Sequence, residues 1–98
     1  MTMHKFLIHN EGDDVGVATE DIRRGEEVTG VYMDTEGTIT LVARGDIPLS
    51  HKIAVNEIPA GGAVTEYRVK IGLAKEGIAA GDYVHVHNIR SARWSFDE

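Results

Sequence analysis

The chain has 98 residues, of which 42% are hydrophobic and 27% charged, and its net charge is −6. These values indicate one folded domain over residues 1–98 rather than a disordered chain. The negative charge argues against binding to nucleic acid or to anionic membranes. Because the sequence contains no cysteine, disulfides, thiolate metal ligands and cysteine nucleophiles are excluded. No apolar run approaches the ~20 residues of a membrane span and no signal peptide is evident, so we expect a cytoplasmic protein.

Short β-strands dominate the predicted secondary structure. The 11 glycines indicate many tight turns. We expect a mainly β domain that is partly open, with a few single-turn helices, one of them at 19–22 and capped by Thr19. Strands are predicted over residues 3–9, 15–18, 29–33, 38–43, 52–55, 66–69 and 81–90.

A short pattern recurs along the chain: Ile, two residues, Gly, two residues and Val. It occurs at 22–28, 58–64 and 78–84. We interpret each copy as a buried isoleucine, a tight turn whose positive-φ position takes glycine, and a valine that begins the next strand. Glycine turns are common, but recurrence at one internal spacing favours a shared geometry. The copies are unequally spaced, which excludes a solenoid.

The stretch 81–90 carries the most chemically capable side chains. Successive side chains of an extended strand point to opposite faces. Val84 and Val86 are therefore predicted to enter the core. His85 and His87 would then stand side by side on the opposite face, about 6–7 Å apart along the backbone.

Imidazoles in this arrangement can bind a metal ion or act as a base near neutral pH. Two histidines do not complete a metal site, and a third ligand could be His51 or a carboxylate of a partner chain. The alternative is that His85 and His87 form hydrogen bonds within a subunit interface. His51 could equally hold its own loop.

Two arginines near the chain end are candidate anion binders. A guanidinium group pairs in a forked geometry with a carboxylate or a sulfonate, and the alternative is a surface or interface salt bridge. The final aromatic residues, Trp94 and Phe96, mark a partner surface or fold back onto the core. The candidate substrate-binding residues are Arg90, Arg93, Asn88 and His51.

Other site classes find little support. The dispersed glycines form neither a phosphate loop nor a dinucleotide fingerprint. Ser50 beside His51 is weak evidence for a hydrolase, because no nucleophile constellation accompanies it.

Longer segments resemble known domains. Residues 46–54 (DIPLSHKIA), followed by an acidic-Ile-x-x-Gly turn, resemble the signature of SAF domains, which have a β-clip fold. Together with VHVHN at 84–88, they are similar to the small domain of the altronate and galactarate dehydratase family. In that family the domain precedes a large catalytic region or forms a separate small subunit. Segments 5–9, 12–18 and 88–94 look most like the alpha subunits of (2R)-sulfolactate sulfo-lyases.

The resemblance, which covers residues 4 to 94, implies a SAF-type β-clip fold with short helical turns. It also implies a two-subunit lyase that acts on a small anionic 2-hydroxy acid. Bisulfite would leave (2R)-sulfolactate to give pyruvate, or water would leave an altronate- or galactarate-type sugar acid. A divalent metal, iron in first place, is implied, with His85 and His87 as metal ligands and catalytic residues.

The large catalytic subunit would hold most of the active site, so we expect this chain to be inactive alone. An exposed edge strand and the aromatic tail favour self-association when the large subunit is absent. The rival hypothesis is a non-catalytic SAF module for binding or assembly.

Overall fold

A computed structural model describes residues 4–85 and 87–91 of the chain. All regular elements in these residues are strands, and none is a helix of the length and apolarity that crossing a membrane requires. The strands are β1 (Phe6–Ile8), β2 (Val15–Ala18), β3 (Glu27–Tyr32), β4 (Thr38–Val42), β5 (Lys52–Ala54), β6 (Ala63–Glu66), β7 (Val69–Ala74), β8 (Tyr83–Val84) and β9 (Ile89–Ser91).

The strands form two sheets, which confirms the predicted mainly β fold. The larger sheet has the order β4-β3-β1-β2-β5-β8, and the smaller has the order β6-β7-β9. Strands β1 and β3 are parallel, whereas all other neighbours are antiparallel. The helical turn predicted at 19–22 is wrong, because Ile22 forms an isolated β-bridge with Ile47 instead.

Two apolar clusters hold the sheets together. The first surrounds Phe6, whose ring packs so closely on β3 that a Cβ at Gly30 would lie 2.1 Å from it. The second joins the two sheets, because Val15 and Val84 of the larger sheet pack with Val64 of the smaller. Burying such side chains contributes about 1.5–3 kcal/mol each.

The recurring turn is present at every predicted copy, and the structure adds a fourth copy that runs from Ile47 to Ile53. Serine replaces glycine there, which is why the Gly-based pattern missed it. In each copy, the backbone N–H that follows the positive-φ residue donates to the carbonyl at the start of the turn. The φ angles are 86° at Gly25, 75° at Ser50, 81° at Gly61 and 95° at Gly81.

The four turns pair through their isoleucines. Ile22 forms an antiparallel bridge with Ile47, and Ile58 forms one with Ile78. All four isoleucine side chains are buried. A strand therefore begins shortly after each turn, and the buried isoleucine fixes the position of that turn in the core.

The first N–H of each turn is either satisfied or missing. The Glu26 carboxylate accepts a hydrogen bond from the Arg23 N–H at 3.1 Å, and the Asp82 carboxylate accepts one from the Ala79 N–H at 2.8 Å. The other two turns begin with the two prolines of the chain. Proline has no N–H, so those turns need no acidic side chain.

The strand predicted over 66–69 is wrong, because a tight hairpin turn interrupts it. Tyr67 and Arg68 both adopt left-handed backbone conformations, with φ of 56° and 62°. This conformation costs about 1–2 kcal/mol per residue for side chains other than glycine. The carboxylate of Asp13 offsets part of that cost, because it accepts hydrogen bonds from both backbone N–H groups.

Two glycine substitutions separate backbone strain from steric overlap. Gly61 and Gly81 share a left-handed φ, but a Cβ at Gly61 would meet open space, whereas one at Gly81 would lie 2.2 Å from the Val42 carbonyl oxygen. We expect Gly61→Ala to lower the free energy of unfolding by about 1–2 kcal/mol. Gly81→Ala should cost about 1–3 kcal/mol more. Urea unfolding measures both values, and equal losses would contradict the close approach.

The pairing of Glu26 with Lys5 makes stability depend on pH. The Lys5 ammonium donates a hydrogen bond to the Glu26 carboxylate and, with the Arg23 N–H, holds the pKa of Glu26 below its ordinary 4.5. The resulting stabilisation is present above pH 4.5 and is lost as the pH falls through the lowered pKa. Glu26→Gln should therefore be less stable than wild type at pH 7, and the difference should shrink in acid. Urea unfolding at a series of pH values tests this, and a difference that grows in acid refutes it.

Candidate functional site

The stretch 81–90 is not one long strand. Strand β8 ends at Val84, and the chain turns before β9 begins at Ile89. The backbone N–H groups of Asn88 and Ile89 both donate to the His85 carbonyl oxygen, at 3.0 and 3.1 Å. The prediction that His85 and His87 share one face of an extended strand is therefore wrong.

Asn88 holds this turn. The residue is only 4% exposed. The amide nitrogen donates to the Tyr83 carbonyl oxygen at 2.7 Å, and the amide oxygen accepts from the His85 N–H at 2.9 Å. Asn88 thus fixes the backbone on which its neighbouring imidazoles stand. Val86, which was predicted to enter the core, lies outside the described residues.

Tyr83 lies at the centre of a cluster of rings. The His85 ring stacks almost parallel to it, at a centroid distance of 5.6 Å, and the His87 ring lies 5.4 Å away. His51 approaches from another part of the chain, and its Nδ1 lies 2.6 Å from the Tyr83 hydroxyl. We call His51, Tyr83, His85 and His87 the imidazole–phenol cluster.

Strand pairing explains how His51 reaches this cluster. Strands β5 and β8 are antiparallel, with Lys52 opposite Val84. The residue before Lys52 and the residue after Val84 therefore arrive at the same end of the pair. The His51 and His85 rings are 5.1 Å apart as a result. The structure thus places His51 beside His85, and its role as a third metal ligand stays a prediction.

Two cavities flank the cluster. The smaller, about 160 Å³, lies on the His85 side, and the larger, about 330 Å³, lies on the His87 side. The smaller is lined by Ser50, His51, Lys52, Val84 and His85. The larger is lined by Arg44, Gly45, Asp46, Glu76, Asp82, Tyr83, His87 and Asn88.

The smaller cavity also carries a cationic group that the sequence did not single out. The Lys52 ammonium lies 3.7 Å from the carboxylate of Glu66, whose side chain is 7% exposed. Lys52 lines this cavity together with His51 and His85, and the Glu66 carboxylate balances its charge. Tyr83 was also missed, although the Tyr-x-His-x-His alternation already grouped it with the two histidines.

The described residues supply only part of a possible metal site. Imidazole is a suitable ligand for iron and other divalent transition metals. However, within the described residues no group of three His, Asp or Glu side chains could hold a metal ion. His85 and His87 also line different cavities. The described residues therefore do not form a complete metal site, and any such site needs further ligands from outside them.

Of the two predicted arginine anchors, Arg90 is not part of the cluster. Arg90 lies on β9 in the smaller sheet, opposite Leu73. It borders a different cavity, of about 450 Å³, together with Lys75. Arg93 lies outside the described residues, and so do Trp94 and Phe96.

Comparison with known proteins identifies similar chains of two kinds. The (2R)-sulfolactate sulfo-lyase subunit alpha of Chromohalobacter salexigens is 36% identical over 90 residues, which is 91% of this chain and 96% of that protein. The altronate dehydratase of Escherichia coli is 40% identical over 86 residues, 88% of this chain but 16% of that protein. The altronate dehydratase of Bacillus subtilis is 30% identical over 89 residues, 91% of this chain and 17% of that protein.

The same domain thus occurs as a short separate chain and as a small part of a much longer one. The altronate/galactarate dehydratase SAF domain family matches residues 4–92, nearly the whole sequence. The predicted family resemblance and fold class are confirmed. The chain belongs to the altronate/galactarate dehydratase SAF domain family.

Proposed function

We propose that this chain is the small subunit of a two-subunit lyase that removes a β-substituent from a 2-hydroxy acid. Bisulfite elimination from (2R)-sulfolactate, which gives pyruvate, is the reaction in first place. The observation that carries this proposal is the similarity to a sulfo-lyase alpha subunit. The match covers 96% of that subunit and 91% of this chain. A large subunit would hold the remainder of the active site.

The elimination has defined chemical needs. A base takes the proton from C2, the electrons of that bond form the C2–C3 double bond, and the C3–S bond breaks. Sulfite leaves with the bonding electrons and is protonated to bisulfite, and the enol product becomes pyruvate. A base, a cation near the carboxylate and a proton donor for the leaving group each lower the barrier.

The imidazole–phenol cluster offers these groups together. The imidazoles of His51 and His85 can act as proton acceptors. The Tyr83 hydroxyl, hydrogen-bonded to His51, can pass a proton to or from a substrate bound beside the cluster. Lys52, which lines the smaller cavity, is a cationic residue of the type that binds a carboxylate or a sulfonate. We assign the cluster as this subunit's share of the active site.

We also propose a divalent metal, iron in first place, that is held jointly by the two subunits. The cluster supplies imidazole donors of the type that iron accepts, and the large subunit supplies the remaining ligands. When bound, the cation would stabilise the negative charge that develops on the substrate carboxylate and hydroxyl. His85 is the stronger candidate ligand, because its ring lies beside a second imidazole.

Two other functions are supported by particular observations. The identity with altronate dehydratases favours a hydro-lyase that removes water from a sugar acid. The buried Asn88 and the packed rings would also suit an assembly module without catalytic side chains. The product formed by the reconstituted enzyme separates the first alternative, and variants of the cluster separate the second.

Reconstitution tests the two-subunit assignment. Purified alone, the small chain should release neither bisulfite nor water from sulfolactate, altronate or galactarate. Mixed with its large subunit, it should release bisulfite from (2R)-sulfolactate, and a chelator should remove both activity and bound iron. Bisulfite release is measured with a chromogenic disulfide that sulfite cleaves, and iron content is measured by elemental analysis. Strong turnover by the isolated chain, or dehydration of a sugar acid alone, would contradict the assignment.

Variants of Tyr83 and His85 test the role of the cluster in catalysis. Tyr83→Phe keeps the ring stacking but removes the hydrogen bond to His51, so we expect kcat of the complex to fall about 100-fold or more. His85→Ala should have a similar effect and should also lower the iron content. His4→Ala, which removes an exposed imidazole elsewhere, is the matched control and should leave kcat unchanged. An assembly module predicts instead near-wild-type kcat for both cluster variants once the complex is saturated.

A further inference from the structure

A second unusual feature lies in the hairpin between β6 and β7. Tyr67 and Arg68, which we call the hairpin tip, are the two central residues of this turn. Both have φ near 60°, the conformation of a type I′ turn. Such turns strongly prefer Asn-Gly or Asp-Gly, because a Cβ is poorly tolerated there. A tyrosine followed by an arginine is therefore a costly choice of sequence at this position.

The protein holds this turn with a buried carboxylate. Asp13 is 1% exposed and belongs to the loop between β1 and β2. Its carboxylate accepts hydrogen bonds from the N–H groups of Tyr67 at 2.9 Å, Arg68 at 3.0 Å and Asn10 at 3.3 Å. An Asn-Gly turn would not need this support. The requirement must lie in the two side chains, since the backbone alone is better served by other residues.

The side chains of Tyr67 and Arg68 each contact a neighbouring residue, yet both remain largely exposed to solvent. The Tyr67 ring stacks on the His9 ring, at a centroid distance of 3.8 Å, but 55% of the residue is still exposed. The Arg68 guanidinium lies 3.9 Å from the Asp34 carboxylate and is largely exposed. Val69, the next residue, is a further exposed apolar side chain. Tyrosine and arginine are the residue types most enriched among energetic anchors of protein interfaces.

We propose that the hairpin tip is the anchor by which this chain docks to the large subunit of the lyase. The inference rests on the proposed two-subunit function. The identity of the partner is inferred from the relatives. Altronate dehydratases carry this domain within one long chain, of which it makes up 16–17%. A separate chain of the same family must replace that covalent link with a surface contact.

The chemistry of the partner surface follows from the tip. A socket with apolar or aromatic walls would accept the Tyr67 ring and Val69, and a carboxylate at its rim would pair with Arg68. A second copy of this chain suits the tip less well. A symmetric contact would bring two Arg68 side chains together between chains that each carry a net charge of −6.

The test replaces the tip with the residues that the turn itself prefers. Tyr67→Asn combined with Arg68→Gly keeps the hairpin, so the isolated chain should fold with an equal or higher Tm. Binding to the purified large subunit, measured by calorimetry, should weaken about 10-fold or more. At saturating small chain, kcat should match wild type, because the tip does not touch the imidazole–phenol cluster. Arg24→Ala removes one exposed arginine from another turn and should bind like wild type.

The other outcomes are separable. If wild type and the double variant bind the large subunit equally, the docking assignment is wrong, and the proposed lyase function is untouched. If wild type does not bind the large subunit at all, the proposed two-subunit function is wrong, and the docking proposal is wrong with it. If sedimentation shows that wild type dimerises alone and that the double variant does not, the tip contacts a second copy instead.

Discussion

The antiparallel pairing of β5 with β8 is the contact on which the candidate site depends. It places Lys52 opposite Val84 and so brings His51 to the end of β8, beside Tyr83 and His85. Both strands are short, and each follows a left-handed turn, at Ser50 and at Gly81. Without those turns neither strand would begin at the residue that the pairing requires. Local backbone conformation thus determines which side chains meet in the cluster.

The sequence was informative where local geometry decides the structure. Glycine is the residue that left-handed turns favour, so the spacing of glycines revealed three of the four turns. Ser50 hid the fourth, because serine is seldom expected at φ of 75°. The buried isoleucines and the mainly β composition followed from ordinary patterning.

Predictions failed where a distant side chain controls the backbone. The alternation of 84–88 indicated a strand, but the buried amide of Asn88 holds a turn there instead. Residues 66–69 have a strand-like composition, yet Asp13, more than 50 positions away, stabilises a hairpin turn within them. Such long-range hydrogen bonds leave no periodic signal in a single sequence. The cluster around Tyr83 is likewise a product of tertiary structure, although Tyr83, His85 and His87 alternate within one short stretch of the sequence.

We propose that two polar features serve different purposes in one small domain. The imidazole–phenol cluster gathers proton-accepting groups and a cation beside cavities, whereas the hairpin tip presents anchors held by a buried carboxylate. Under this proposal, the chemistry and the docking lie on separate surfaces of the domain. It also explains why an acidic chain places Lys52 and Arg68 at defined, supported positions.

The most direct test is the structure of the two-subunit complex with a substrate analogue bound. The account predicts that the analogue lies at the subunit boundary, with the Tyr83 hydroxyl or an imidazole of the cluster within about 3 Å of one of its polar atoms. An analogue enclosed entirely by the large subunit, with the cluster facing solvent, would contradict it.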